Sequence, residues 1–314
     1  LYCAVKRVHP STQVNAMLFT TGLAPLLSDL LLRYPNAEAV GFHRAGLLTA
    51  IGVGLFIGFM LPLGLAHSPK AHKGFSLYNA ALPLGLLAFF LRAVLYKVLG
   101  VAVPAGATTS LEIASWTATN VFCFVLFGLC IVPAFLLGAT PKRYWALLKD
   151  SGFGVDYAQK YGNAVFLMNV GVYGLFIVLY YNLVGATFNA VTFGCIFCML
   201  SCACSGSHPR NVLPIMLGYV AASFLMKWLS VDVLGMEFAQ TINAQAIVVG
   251  LCFANALSPI SGKYGWWAGL LAGMAHFLLV TSVPDLHGGF CLYNGGFTAC
   301  FICMILTPTP WTTC

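Results

Sequence analysis

The chain has 314 residues, of which 60% are hydrophobic and 7% charged, with 15 Lys+Arg against 8 Asp+Glu and a net charge of +7. A soluble domain carries roughly 25% charged residues, so this composition cannot cover a water-facing surface, and soluble, disordered and nucleic-acid-binding classes are excluded. The basic residues lie scattered between apolar runs instead of forming a stripe, which leaves an all-α polytopic membrane protein whose first partner is the lipid bilayer; at ~20 residues per span there is room for about ten spans.

The first residue is Leu1 and the opening stretch to Pro10 lacks the layout of a signal peptide, so a further N-terminal part is expected to precede it. Polar breaks then cut the chain into ten apolar segments, near 14–32, 42–66, 74–99, 117–140, 163–184, 187–205, 211–229, 241–260, 265–283 and 289–307. Segments 187–205 and 289–307 are short for a full span and read equally as broken or re-entrant helices. With the start on the cytoplasmic side, inside loops hold ten Lys/Arg and outside loops five. That excess fits the positive-inside rule. The 141–162 loop, with Lys142, Arg143, Lys149 and Lys160, is the firmest inside assignment.

An internal repeat follows from residues 72–79, His-Lys-Gly-Phe-Ser-Leu-Tyr-Asn, and 287–294, His-Gly-Gly-Phe-Cys-Leu-Tyr-Asn. Upstream, Ala45-Gly-Leu-Leu48 matches Ala268-Gly-Leu-Leu271, and Asn15-Ala16 is a weaker match to Asn243-Ala244. Segments one to three thus correspond to segments eight to ten. An offset of seven spans is odd, so the copies are expected to cross the bilayer in opposite directions, as the inverted repeats of secondary transporters do around a midplane site. The expected division is 1–110 as first repeat, 111–160 as a connecting helix with the basic loop, and 161–314 as second repeat. Small residues four apart, Gly46, Ala50, Gly54 and Gly58, and again Gly265, Gly269 and Gly273, read as helix-packing ladders.

The candidate substrate-binding residues are the amide-bearing parts of the repeat, Tyr78, Asn79, Tyr293 and Asn294, in helices expected to be interrupted by Pro83 in one copy and by Gly295-Gly296 in the other. An Asn at membrane depth orients a polar solute, caps a half-helix or bonds a neighbouring helix. Asn189, His208, Arg210 and Asn211 bracket the short sixth segment and join the candidate set. Arg210 is the only Lys/Arg between positions 161 and 226; it reads as an anion site or as a topology-setting loop residue. His72 and His287 are expected at loop edges, as proton-linked or plainly interfacial groups, with Asp285 as a partner for His287. Asp29 is the one acid inside a segment, near Arg33.

The Cys-x-x-Cys spacings at 195–204 and 300–303 lie in apolar helices, where Cys serves as a small hydrophobe. No metal site, cofactor or catalytic residue is expected, because no phosphate loop, zinc-peptidase or serine-hydrolase motif occurs. The duplicated motif, with Gly206-Ser-His-Pro-Arg-Asn-Val-Leu-Pro-Ile-Met-Leu-Gly218, resembles a bacterial multi-pass membrane family known as a domain of unknown function. That resemblance implies a bacterial inner-membrane protein with a longer N-terminus and brings no substrate. The leading expectation is a transporter or channel for a small polar solute or ion, with a homo-oligomer allowed. A membrane-embedded enzyme and a structural or sensory membrane protein are the alternatives.

Overall fold

The structure, a computed structural model, describes residues 2–35, 40–104 and 112–307; the proline-rich end after 307 lies outside the described residues. The described residues are helical, without strands. Seven helices are long and apolar enough to cross a membrane: α1 (Pro10–Leu32), α2 (Arg44–Ala71), α3 (Ala81–Val98), α4 (Trp116–Leu136), α5 (Asn163–Val184), α7 (Pro209–Val233) and α8 (Gln245–Tyr264). Three more are apolar but shorter: α6 (Ala190–Ser201), α9 (Trp266–Val280) and α10 (Asn294–Leu306). The ten expected segments therefore all appear. At 1.5 Å per residue, the 12 residues of α6 and 13 of α10 reach about 18–20 Å, less than the ~30 Å hydrocarbon core.

Large apolar side chains lie on the outside, including Leu48, Phe124, Leu136 and Leu183. In water such a surface aggregates; in lipid it is the required one, because the surrounding hydrocarbon accepts apolar side chains and offers no partner to polar ones. The protein is an all-α polytopic membrane protein.

Two features differ from the expected spans. The Tyr-Asn motifs do not interrupt helices. They end irregular connections, 73–80 and 288–293, that lead into α3 and α10. Pro83 causes no break, because it sits in the first turn of α3, where its missing N–H forgoes no helix bond. The small-residue ladder of α9 packs tightly, since a Cβ on Gly273 would lie 2.3 Å from the Ile215 carbonyl of α7. The ladder of α2 does so only at Gly46, against the Leu30 and Leu31 carbonyls, and Gly58 meets nothing.

Three buried cores organise the helices; one, around Leu147, Tyr157 and Met168, seats the 139–168 stretch, and the other two hold the loops of the repeat. The smaller of these two joins Leu23, Leu26 and Leu30 of α1 to Ile57, Leu84 and Tyr96. The larger one gathers α5 to α10 around Tyr173, Met199, Tyr219 and Leu257. Each takes in the loop of the other half. Phe290 and Cys291 complete the α1–α3 core, while Phe75 is buried in the larger core, beside Phe153 and Tyr264.

Candidate functional site

The exchange of loops fixes the geometry around the Tyr-Asn motifs. Both α1 and α8 are broken by a short 3-10 turn, Thr20–Leu23 and Asn255–Leu257. Each turn is followed by a helix with proline at its start, Pro25 and Pro259. A 3-10 turn leaves carbonyls without their α-helical partners, and the opposite loop supplies one in each case. Leu77 N–H donates to the Ala256 carbonyl at 3.2 Å, and Leu292 N–H donates to the Gly22 carbonyl at 2.9 Å. The tyrosine that follows each leucine then meets a phenylalanine three residues before the bonded carbonyl. Tyr78 packs on Phe253 at 5.5 Å and Tyr293 on Phe19 at 6.1 Å, both edge to face.

These contacts pair Phe19-Thr-Thr-Gly-Leu-Ala-Pro25 with Phe253-Ala-Asn-Ala-Leu-Ser-Pro259. They set aside the weaker match of Asn15 with Asn243. The Phe-x-x-(Gly/Ala)-Leu-x-Pro spacing was present in the sequence, but its few identities are apolar. Helices α3 and α10 meet at Ala81 and Gly296, where a Cβ on Gly296 would lie 2.6 Å from that of Ala81. These two positions are equivalent in the 72–79/287–294 register, so the contact joins a position to its own counterpart.

Tyr78, Asn79 and Tyr293, with Phe19, Leu77, Ala80 and Ala81, line a cavity of about 110 Å³. Asn294 begins α10 next to Tyr293 and is not part of that lining. Its Oδ1 accepts from His287 Nδ1 at 2.6 Å, and in the other copy the Asn79 side chain faces His72. Tyr78 donates its hydroxyl to the Cys198 carbonyl of α6 at 3.1 Å, which ties the first loop to the short helix. Both histidines stand at the edges of the two loops, His72 at the end of α2 and His287 at the end of a short helix, Val283–His287, and both are fully buried there. Asp285 is exposed and does not pair with His287, whose partner is Asn294. Asp29 pairs with Arg33 at 3.2 Å and accepts from the Tyr96 hydroxyl at 2.6 Å.

The remaining candidates lie elsewhere. Asn189 caps α6, accepting from the Val191 and Thr192 amides and donating to Gln245. It is nine residues from Cys198, about 13 Å along the helix. His208 and Asn211 form a reciprocal capping box on α7, which satisfies orphan donors of its first turn. Asn211 also donates to the Gly206 carbonyl at 2.8 Å, and His208 Nε2 bonds the Asp150 carbonyl at 3.0 Å. Burial pushes His208 down to about 4, so its ring is neutral at pH 7. Arg210 is exposed.

This cluster grips the 149–162 loop. Gly152 and Gly206 are in backbone contact, and Asp150 accepts from Lys160 Nζ at 2.7 Å and the Tyr161 hydroxyl at 2.8 Å. Burial works against the Asp150 charge, but Lys160, the Gly152 amide and Tyr161 together hold its carboxyl below the ordinary range. The structural work of the Gly-Ser-His-Pro-Arg-Asn motif is thus a loop clamp.

The arrangement defines a class: a polytopic helical membrane protein in which two motif-sharing loops are exchanged between two cores around a small cavity with tyrosine and amide groups. The chain belongs to the family described as protein of unknown function DUF1576, whose model matches residues 1–97 and 139–310. Neither a curated protein nor a solved structure matches it.

Proposed function

We propose that the protein is a transporter of a small, uncharged polar solute, working by alternating access between two inverted copies, α1–α3 and α8–α10, in a bacterial inner membrane. The observation that carries this reading is the reciprocal seat of the loops, each bonded to the 3-10 break of the opposite helix, with Tyr78, Asn79 and Tyr293 around one cavity. Broken helices that leave backbone carbonyls and amide side chains at a repeat interface are the usual means of holding a solute inside a bilayer. A volume near 110 Å³ equals about four waters at ~30 Å³ each, which suits a solute of a few non-hydrogen atoms in a closed state. The absence of a carboxylate from that lining argues against a driven multivalent cation.

Thermal stabilisation of the purified chain by a panel of small polyols, amides, amino acids and monovalent anions tests the solute class. At a hundred times Kd a true ligand adds about 2.7 kcal/mol, and a panel without any shift removes the reading. The inverted arrangement is tested separately. Cysteines at the exposed positions Lys73 and Asp285, each introduced singly into a cysteine-free background, are expected to react from opposite faces of sealed vesicles. Reaction of both from the same face excludes inversion.

A further inference from the structure

Of the 15 Lys and Arg of the chain, only Arg33 and Arg92 are half-buried; every other one is exposed. Both shelter at one place. Arg33 lines a cavity of about 360 Å³ together with Ser28, Asp29, Gly288, Gly289 and Phe290. Arg92 borders it, because a Cβ on Gly288 would lie 3.2 Å from Arg92 Cγ. Each guanidinium has its Nε buried without a hydrogen-bond partner among the described residues. Buried polar atoms are nearly always bonded, and a cation at membrane depth is costly enough to mark function by default. Two such orphans beside one cavity call for a cause.

The charges around this cavity do not cancel. Asp29 Oδ1 lies 3.2 Å from Arg33 Nε, and Asp29 Oδ2 accepts from the Tyr96 hydroxyl at 2.6 Å. Arg92 enters no ion pair with a described residue. Two guanidiniums and one carboxylate leave one positive charge uncompensated, which matches a monoanion. The depth matches too. Arg33 directly follows the end of α1 at Leu32, and Arg92 stands six residues before the end of α3 at Val98, about 9 Å along the axis. The two helix ends are joined where the Tyr34 hydroxyl donates to the Leu95 carbonyl at 3.0 Å, and Tyr34 meets Tyr96 edge to face at 5.5 Å. Tyrosines gather at headgroup level, where phosphate is the abundant anionic group of a bilayer. Planar guanidinium forks bind phosphate oxygens in pairs.

The other half of the repeat satisfies its cation differently. In the register that pairs Pro25 with Pro259, the equivalent of Asp29 is Lys263. Its ammonium lies over the Phe153 and Phe75 rings, 4.1 and 5.2 Å from their centroids, and these faces supply the negative potential a cation needs. Among the described residues no ring stands over Arg33 or Arg92. The arginine pair is thus a feature of one half alone and no part of what the two copies share.

We propose that this cavity is a binding site for a monoanionic phosphate group, held between the Arg33 and Arg92 guanidiniums with the Ser28 hydroxyl as a further donor. A phospholipid headgroup and free phosphate offer the same chemistry. The cavity shares no lining residue with the one around Tyr78, Asn79 and Tyr293, so the inference does not rest on the transport reading. Because Gly288, Gly289 and Phe290 belong to the exchanged loop, a phosphate bound here ties that loop to α1 and α3.

The test uses the full chain, delipidated in an uncharged maltoside detergent. The probes are phosphatidylglycerol, inorganic phosphate and, as a lipid without phosphate, diacylglycerol. Bound lipid is counted by native mass spectrometry, and phosphate binding is read from the thermal midpoint. The wild type is expected to hold phosphatidylglycerol in preference to diacylglycerol, or to be stabilised by inorganic phosphate. Arg92→Gln is expected to weaken that binding roughly tenfold or more, the effect of one lost hydrogen bond to a charged group. Lys97→Gln, which removes an exposed cation of the same helix, is expected to leave it unchanged. Displacement of the lipid by inorganic phosphate assigns the site to free phosphate, and retention assigns it to the headgroup; either supports the proposal. A wild type that neither distinguishes the two lipids nor responds to phosphate overturns it, as does wild-type affinity in Arg92→Gln. A fall in ligand-free stability of Arg92→Gln with unchanged affinity marks a packing residue and overturns it as well. Should Arg92→Gln fail to fold, Ser28→Trp, at an exposed position of the lining, fills the cavity instead, and wild-type affinity in that variant overturns the proposal.

Discussion

Gly152→Ala is expected to yield little folded protein. Residue 152 has a φ of +74°, and its new Cβ would lie 2.1 Å from the Gly206 carbonyl oxygen. Gly206 itself has a φ of +147° and approaches Gly152 as closely in return, so neither backbone can yield to the other. The Gly206 carbonyl is further held by the Tyr157 hydroxyl at 3.0 Å and by Asn211 Nδ2 at 2.8 Å. Left-handed backbone strain of about 1–2 kcal/mol adds to about 1–3 kcal/mol for overpacking. Tyr157→Phe, which loses a single bond, is expected to cost about 1 kcal/mol and serves as the graded comparison. Detergent-extracted yield and thermal midpoint read the difference. A Gly152→Ala protein that melts with the wild type would show that the two loops separate freely and that the clamp contributes nothing.

Asn294→Ala removes the acceptor of the His287 Nδ1–H bond and leaves a buried donor bare, at a cost of about 1–3 kcal/mol. The Asn294 side chain lies outside the cavity lining, so under the transport reading the loss falls mainly on stability. Asn79→Ala, at a position that does line the cavity, is expected to lower solute affinity roughly five- to a hundred-fold, the equivalent of about 1–3 kcal/mol, with the protein still folded. If Asn79 only packs helices, yield collapses while affinity in the surviving protein is unchanged. Extracted yield measured beside solute binding separates the two accounts, and wild-type binding by a well-folded double variant ends the site hypothesis.

The ten apolar segments were legible because a bilayer demands long apolar helices with internally satisfied backbones. The repeated Tyr-Asn motif was legible because polar identities stand out against an apolar background. What escaped was how the copies touch. The first-helix equivalence rests on Phe19/Phe253 and Gly22/Ala256, which look like ordinary apolar sequence until Leu77 and Leu292 are seen bonded to the two breaks. The depth of His72 and His287 escaped because a histidine between an apolar helix and a loop has the same sequence context whether it is covered or exposed. His208 and Asn211 read as solute ligands because a polar run between apolar segments has the same composition whether it binds a ligand or caps a helix. Asn189 carries the same ambiguity, and its capping bonds became visible only once α6 began at Ala190.

The exchanged loops also bear on how the chain is made. Phe290 and Cys291 complete the core built by α1–α3, yet they follow the end of α3 by nearly two hundred residues. At roughly 5–20 residues per second of synthesis, the first three helices stand in the bilayer for about 10–40 s with an unfinished interior. In water an interval of that length with exposed apolar surface invites aggregation; among lipid tails the waiting surface is already solvated, so the penalty is small. Assembly then ends with an event instead of growing steadily, since the ribosome must deliver α10 before either core can close. A chain stopped shortly before residue 290 is accordingly expected to insert all nine earlier helices and to remain protease-sensitive along α1–α3, a stage at which quality-control proteases would meet an inserted but unlocked protein.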